Sequence, residues 1–406
     1  MSLHPLIYDW NTIGAPDAPT KAVMLDDETL RDGLQSPSVH SPDIDEKIHI
    51  LHLIDALGID TADIGLPGAG PHVVADVERL ARAIVDGGLR VRANCAARTL
   101  VSDIRPIVEI SQRTGVEIEC CAFIGSSPIR QFAEDWPLDM LLRLTEEAVA
   151  FAVSEGLPVM YVTEDTTRSK PDSLRQLYAA AIRAGAKRVC IADTVGHATP
   201  AGAAAVTRFV KSIVDECGGG IGIDWHGHRD RDLAVINSLS AMEAGATRLH
   251  AAAMGIGERV GNTPMDLLLV NLVLMGHRTT DLTRLGEYAQ AVSDACRVSI
   301  PANYPVIGRD AFRTATGVHA SAVIKALRKH DISLADAVYS GVPASLVGRE
   351  QGIEIGPMSG RSNVVYWLER HGVEATDERV DRIFTEAKKS DAVLSDATIA
   401  DLLKPH

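Results

Sequence analysis

Aromatic residues and long apolar runs are both scarce in this sequence. Phe, Trp and Tyr together make up 4% of the 406 residues, whereas 46% of the residues are hydrophobic. The core must therefore be built mainly from Ala, Val, Ile and Leu, which suits small-residue helices packed on parallel strands. No run reaches the roughly 18 apolar residues that a membrane span needs, and the N-terminus lacks the features of a signal peptide. These absences predict a soluble, cytoplasmic protein.

Positive charge and paired cysteines are also in short supply. The chain has 40 Lys and Arg residues against 54 Asp and Glu, a net charge of −14 at pH 7. An acidic protein is not attracted to nucleic acid or to anionic membranes, so neither is expected as a partner. The six cysteines form no CxxC pair, which favours free buried thiols over disulfides. An anionic substrate would have to be bound by local positive charge or by a metal ion.

Short apolar, β-branched runs alternate with stretches of helical periodicity from residue 22 to about 277, and the pattern repeats eight times. Strands that alternate with helices predict a parallel sheet. Eight units of about 30 residues favour a closed (β/α)8 TIM barrel over an open doubly wound sheet, which is the alternative. The predicted strands are Ala22–Leu30, Thr61–Leu66, Arg90–Ala96, Glu117–Ile124, Pro158–Thr163, Arg188–Asp193, Gly222–His228 and Arg248–Met254.

Helices are predicted between these strands, and several end at a glycine suited to a helix C-terminus, as in Leu57-Gly58. After about residue 280 the strands stop. We therefore predict a catalytic barrel over residues 1–280 and a smaller α-rich C-terminal module over residues 281–406. The predicted barrel helices are Asp45–Leu57, Val73–Val85, Leu138–Ser154, Ser173–Ala184, Pro200–Cys217, Asp232–Ala244 and Pro264–Met275.

Polar clusters follow the predicted strands, where the active sites of such barrels lie. The first strand runs into Asp27–Gln35, which places Arg31 beside several carboxylates, although a salt-bridged helix start is the alternative. The seventh strand ends in His226 and His228. Because residues i and i+2 of a strand point to the same face, both imidazoles can aim at one point inside the barrel. Two such His with a carboxylate from another strand form a facial metal site that leaves positions open for substrate.

Three further segments at strand ends carry polar groups. Gly255–Asn262 has three glycines in seven residues, and Asn262 can offer its amide oxygen to the same metal; an ordinary glycine-rich turn is the alternative. Glu164, after strand five, is a candidate for proton transfer. Thr194, after strand six, is placed to hydrogen-bond a substrate carboxylate.

These segments together resemble the signature of the DRE-type metal-dependent acyl-CoA barrels. That family includes 2-isopropylmalate, homocitrate and citramalate synthases and 3-hydroxy-3-methylglutaryl-CoA lyase. The resemblance covers residues 22 to about 365. The matching segments are DETLRDGLQ, IADTVGHATP, HGHRDRDLAVINSLSAMEAGA and GIGERVGN, followed beyond the barrel by Gly317–His319, Leu346–Glu350 and Ser359–Arg361.

The resemblance implies a metal site and an acyl-CoA substrate. Asp32, His226 and His228 would bind one divalent ion (Mg, Mn or Zn), with Asn262 as a fourth ligand or a neighbouring group. The metal would polarise the carbonyl of a 2-oxo acid, which the carbanion of acetyl-CoA would then attack. Hydrolysis of the thioester would release a 2-hydroxy diacid.

The resemblance also implies roles for the other matching residues. Arg31 would stabilise the developing oxyanion, with Glu164 as a proton-transfer group. Thr194, together with Arg31 and Gln35, would bind the 2-oxo acid. His319, from the C-terminal module, would reach the active site of the partner subunit in a homodimer, although a core or capping His of a helical module is the alternative.

The chain departs from the family pattern at three positions. Arg229 replaces the usual Asn of HxHND, Cys121 replaces a His before the strand-four loop, and Met358 precedes SGR where a His is usual. These changes leave the metal site intact and bear on the acid that is bound. We predict a 2-isopropylmalate synthase-like acyltransferase of leucine biosynthesis, because Leu66 could line a pocket for the branched side chain of 2-oxoisovalerate. Homocitrate-type chemistry, with Arg229 or Arg130 on a distal carboxylate, and citramalate-type chemistry are alternatives.

Other classes fit the sequence less well. A lyase of this family would resemble its relatives in carrying a Cys in the loop after strand eight, and Gly255–Asn262 has none. A Schiff-base aldolase needs a Lys at the carboxyl end of a strand, but Lys187 precedes strand six and Lys170 lies in a loop. A barrel without activity that serves as a binding protein would be expected to have lost ligands, and all of them are present.

Overall fold

Eight parallel strands close into a barrel in this computed structural model, which describes residues 4–13 and 23–404. Each strand pairs with its neighbours in the sequence, and the first strand also pairs with the eighth. The predicted (β/α)8 barrel is therefore confirmed. The barrel strands are β1 Met24–Asp27, β2 Thr61–Asp63, β3 Arg92–Arg98, β4 Glu119–Gly125, β5 Val159–Glu164, β6 Arg188–Asp193, β7 Gly222–Gly227 and β8 Arg248–Ala251.

Each observed strand overlaps its predicted run, and β6 matches it residue for residue. The largest difference is at β1, which is shorter than the predicted Ala22–Leu30. Ala22 lies outside the described residues, and at the other end the backbone turns at Glu28, whose carbonyl accepts hydrogen bonds from the amides of Arg31 and Gly33. The residues after Asp27 thus form a turn at the mouth of the barrel.

Helices fill the connections, and two of them lie outside the predicted set. One is α3, which contains Pro106, a residue that normally marks the end of a helix. The other is the short α4. The helices of the barrel and of the segment that follows it are α1 Ile44–Ala56, α2 Pro71–Asp86, α3 Val101–Thr114, α4 Pro128–Glu134, α5 Leu138–Ser154, α6 Pro171–Arg183, α7 Pro200–Glu216, α8 Ala234–Glu243, α9 Met265–Leu274 and α10 Leu285–Cys296.

The chain forms two compact units. One comprises Ala18–Thr280 and Glu287–Ser299, so most of α10 belongs with the barrel. The other comprises Met1–Asp17, Asp281–Gly286 and Ile300–His406. Its elements are α11 Gly317–Arg328, α12 Ile332–Ala337, α13 Arg361–Arg370, α14 Asp377–Lys389, α15 Asp396–Leu402 and a two-stranded parallel sheet of β9 Arg313–Thr314 and β10 Gly352–Ile353.

Within residues 4–13 and 23–404, no helix is both long and apolar enough to cross a membrane. The buried hydrophobic side chains are mostly Ala, Val, Ile and Leu, as the composition predicts. All six cysteines are free thiols, and five of them are buried.

Charged side chains fill the barrel interior near the amino-terminal ends of the strands. Arg248 on β8 is 1% exposed, and its guanidinium donates to Asp224 at 2.5 Å and to Glu119 at 2.6 Å. Arg188 also donates to Asp224, at 2.7 Å. Buried charges need partners because transfer out of water is costly, and here each guanidinium has at least one carboxylate. We call this group of ion pairs, formed by Arg248, Arg188, Asp224 and Glu119, the charged floor of the barrel.

Candidate active site

A cavity of about 210 Å³ opens among residues at the carboxyl ends of the barrel strands. Parallel strands bring their carboxyl ends to one rim, which gathers segments that are far apart in the sequence. Seven of the nine predicted site residues line this cavity: Arg31, Asp32, Gln35, Glu164, Thr194, His226 and His228.

His226 and His228 project from the end of β7 to the same side, as the i, i+2 spacing predicts. Their Nε2 atoms are 3.2 Å apart. The Asp32 Oδ2 atom lies 3.6 Å from Nε2 of His228 and 4.0 Å from Nε2 of His226. Burial and the neighbouring His226 lower the pKa of His228 to about 4, so its imidazole is neutral. A neutral imidazole has a lone pair available for a metal ion.

The donor set fits a divalent metal ion. One nitrogen from each of His226 and His228 and one oxygen from Asp32 lie within 4.8 Å of one another. Burial alone would raise the pKa of Asp32, but the charges of Arg31, His226 and His228 together outweigh this and lower it, so the carboxylate is ionised. Two facing imidazole nitrogens beside a carboxylate oxygen form the facial N,N,O arrangement of metal enzymes with open coordination positions.

Asn262 lies against Asp32 in the loop that follows β8. Its Nδ2 donates to Asp32 Oδ2 at 2.7 Å and to the carbonyl of Ile256 at 3.0 Å. This contact is consistent with a neighbouring group that fixes the carboxylate. The loop depends on Gly261, which has φ +102° and would place a Cβ 1.7 Å from the carbonyl oxygen of Gly255.

Arg31 is held by three carboxylates at the edge of the cavity. Its Nε donates to Asp63 at 2.8 Å, one terminal nitrogen donates to Asp32 at 3.1 Å, and the other is hydrogen-bonded to Glu28. A guanidinium carries five N–H groups, so three of them are occupied and two remain for a ligand. Arg31 is thus a rigidly oriented cation with donors to spare.

Two side chains that the sequence analysis did not select, Glu28 and His250, also line the cavity. The ring of His250 lies between Glu28 Oε1 and Asp224 Oδ2, each at 2.9 Å. Burial alone would lower the pKa of His250, but the charge of Asp26 and the hydrogen bonds to Asp224 and Glu28 outweigh it and raise this pKa to about 10. Glu28 Oε1 also lies 3.4 Å from His226 Nδ1, so Glu28 connects His250 to a predicted metal ligand.

Thr194 and Glu164 stand on the rim formed by β5 and β6. The Thr194 hydroxyl oxygen accepts a hydrogen bond from the amide of Asp165 at 2.8 Å, which leaves its proton free to donate to a ligand. Burial raises the pKa of Glu164, although Arg130, whose Nε lies 3.7 Å from the carboxylate, opposes this shift. A raised pKa suits a carboxylate that exchanges protons during a reaction.

One wall of the cavity is apolar. Cys121, Met160 and Cys190 form a small hydrophobic cluster on neighbouring strands, and Val162 packs against it. All four side chains line the cavity. The Cys121 that departs from the family pattern is therefore part of this wall.

His319 lies in the other compact unit, near the start of α11. Its exposed ring stacks on that of Tyr339, with the ring centroids 4.0 Å apart. The structure thus places eight of the nine predicted site residues in or beside the cavity, and the ninth in the C-terminal unit.

Comparison with known proteins agrees with the motifs and the fold. The chain is 31% identical over 371 residues to a probable 2-isopropylmalate synthase of Methanopyrus kandleri, covering 90% of this chain and 69% of the relative. It is 33% identical over 376 residues to a homocitrate synthase of the same organism, covering 92% and 88%.

A crystal structure of HMG-CoA lyase from Bacillus subtilis aligns with a TM-score of 0.58 at 18% identity, covering 70% of this chain and 97% of the lyase. At this identity the likeness concerns the fold alone. The HMGL-like family matches residues 22–292. The chain therefore belongs to the HMGL-like family, the DRE-type barrels that its motifs resemble.

Proposed function

We propose that this protein joins acetyl-CoA to a 2-oxo acid in a metal-dependent condensation. The methyl carbon of the thioester forms a bond to the keto carbon of the acid, and water then cleaves the thioester to release CoA and a 2-hydroxy diacid. The observation that carries the proposal is the convergence of Asp32, His226 and His228 beside Arg31, whose two remaining N–H groups are available to an oxyanion. The names of the two synthases from Methanopyrus kandleri support the same reaction class.

We assign roles in this reaction to the predicted metal ligands, Arg31, Thr194 and Glu164. The two His and Asp32 would hold a divalent ion, which would supply Lewis acidity toward the keto group. Arg31 donates to the oxygen on which negative charge develops, and its three carboxylate partners keep it oriented beforehand. Thr194 donates its hydroxyl proton to the acid carboxylate. Glu164, with its raised pKa, accepts the proton that leaves the methyl group.

The apolar wall favours a 2-oxo acid with a small hydrocarbon side chain, and we place 2-oxoisovalerate first. A distal carboxylate would need a cation in the cavity, and neither of the two arginines considered for this, Arg229 and Arg130, lines it. Arg229 pairs with Asp232 at 3.4 Å, and Arg130 pairs with Glu134 at 2.8 Å. Arg259 lines the cavity but donates to both Asp230 and the Thr194 carbonyl.

A substrate panel tests both the reaction and the choice of acid. Release of free CoA from acetyl-CoA is measured with 2-oxoisovalerate, 2-oxobutyrate, pyruvate, 2-oxoglutarate and oxaloacetate. We expect 2-oxoisovalerate to have the highest kcat/KM. A buried methylene contributes only about 0.8 kcal/mol, so the shorter acids should be slower by about ten-fold and still react. A ten-fold preference for either dicarboxylic acid would overturn the assignment of the apolar wall.

We also propose that His319 completes the active site of a second copy in a homodimer. His319→Ala should lower kcat with little change in the KM for the 2-oxo acid, because a proton-transfer group contributes mainly in the transition state.

Mixing this variant with an inactive Asp32→Ala variant shows whether His319 acts in the partner's site or in the site of its own subunit. If His319 acts across subunits, random reassociation restores about a quarter of wild-type turnover, since half of the dimers then hold one intact site. No recovery, with heterodimers present, would place His319 in its own subunit's site, and unchanged turnover of His319→Ala alone would place it outside catalysis.

A further inference from the structure

The metal site depends on a turn as well as on a strand. His226 and His228 lie at the end of β7, where the i, i+2 geometry of a strand fixes their relative positions. Asp32 lies in the turn after β1, outside any strand. Whatever holds this turn therefore decides where the carboxylate stands relative to the two imidazoles.

A buried chain of hydroxyl groups meets this turn at Thr29. The amide of Ala253 donates to Thr29 Oγ1 at 2.9 Å, and Thr29 Oγ1 lies 3.0 Å from Tyr288 Oη. Tyr288 Oη donates to Asp27 Oδ2 at 2.5 Å. A tyrosine hydroxyl has a single proton, and Tyr288 donates it to Asp27, so Thr29 is the donor in its hydrogen bond to Tyr288. Tyr288, Thr29 and Asp27 are all fully buried.

These hydrogen-bonded hydroxyl groups join the two segments that carry Asp32 and Asn262. Thr29 stands three residues before Asp32, and Ala253 opens the segment that leads to Asn262. Asn262 in turn donates to Asp32 at 2.7 Å. The two segments are thus tied at both ends, by the hydroxyl chain at one end and by the amide of Asn262 at the other.

We propose that Tyr288 is a positioning residue for the metal site, acting through Thr29 on the turn that holds Asp32. The inference rests on the metal site of the proposed function. Tyr288 lies on α10, the helix that begins in the C-terminal unit and continues in the barrel unit from Glu287. The polypeptide therefore passes from one unit to the other within the helix that carries Tyr288.

The test is the dissociation constant of Mn²⁺ for the full-length protein, measured by electron paramagnetic resonance and by competition with a chelator. Loss of a group that orients a metal ligand typically weakens metal binding by about 10–100-fold, and we expect at least about ten-fold for Tyr288→Phe. Tyr161→Phe is the matched control. Tyr161 is equally buried, and its hydroxyl is hydrogen-bonded to that of Thr145, at 2.8 Å, away from the turn. Both variants should lose stability, but only Tyr288→Phe should lose metal affinity.

A second pair of variants keeps the test decisive if Tyr288→Phe does not fold. Thr29→Ser keeps the hydroxyl and should retain metal affinity, whereas Thr29→Val should lose as much as Tyr288→Phe. Because both side chains act through one chain, the double variant should lose no more than either single one. Wild-type Mn²⁺ affinity in Tyr288→Phe or in Thr29→Val would overturn the proposal. If the wild-type protein binds Mn²⁺ and releases no CoA with any 2-oxo acid, the proposed function fails while the role of Tyr288 still stands.

Discussion

Replacing His226 and His228 together with alanine is expected to abolish both metal binding and turnover. A facial site has no spare ligand, so each single replacement should raise the metal dissociation constant at least ten-fold, and the double variant should bind none at micromolar concentrations. Lewis-acid polarisation of a carbonyl contributes several kcal/mol, so loss of the ion should lower kcat by about 1,000-fold or more. Metal content after dialysis and CoA release measure the two effects.

A control variant separates loss of the ligands from general damage at the barrel mouth. His197 is an exposed His in the loop after β6 and is outside the ligand group. His197→Ala should retain both metal and turnover. Full metal occupancy with normal turnover in the double variant of His226 and His228 would show that the ligands were assigned wrongly.

Replacing Arg31 should separate catalysis from metal binding. Removal of one preorganised donor to an oxyanion usually lowers kcat by about 100- to 1,000-fold, and we expect this range for Arg31→Lys. Lysine keeps the positive charge among Glu28, Asp32 and Asp63, but a single ammonium cannot reach three carboxylates and still present two donors. Metal affinity should change much less than kcat.

Arg31→Gln should also destabilise the protein. It leaves the three carboxylates without their cation, and breaking a buried ion pair in this way costs about 3–5 kcal/mol. Arg143→Gln is the control, since Arg143 pairs with Glu147 on α5 and the two side chains are 60% and 55% exposed, so little stability should be lost. If Arg31→Lys condensed the substrates at the wild-type rate, Arg31 would be a purely structural cation.

The barrel and the convergence of His226, His228 and Asp32 were predictable because the signals for them are local. The side-chain alternation of one strand suffices to place His226 and His228 on one side, and parallel topology brings Asp32 to the same rim. Thr194 and Glu164 were found in the same way, from polar residues that follow an apolar run. None of these inferences required the partner of any side chain to be known.

Glu28 and His250 escaped the sequence analysis because their roles depend on pairs across the barrel. His250 lies between Glu28 and Asp224, which are more than 20 residues away along the chain in both cases. A weak signal was present, because ionisable residues alternate with others in Arg248 to His250 on β8, which is the pattern of side chains that point into a barrel. Hydrophobic periodicity alone predicts only that Arg248 and His250 belong to a strand.

The charged floor of the barrel bears on how the substrate range of such an enzyme can evolve. Met160 forms the apolar wall on one side and meets the guanidinium of Arg248 on the other, with 3.1 Å between the sulfur and the nearest nitrogen. Trimming this wall would uncover a cation that Asp224 and Glu119 already hold in place, not a second apolar layer. Evolution toward longer hydrocarbon substrates would therefore require replacement of Arg248, Asp224 and Glu119 together. A change of preference toward acidic substrates would need only a shorter residue in place of Met160.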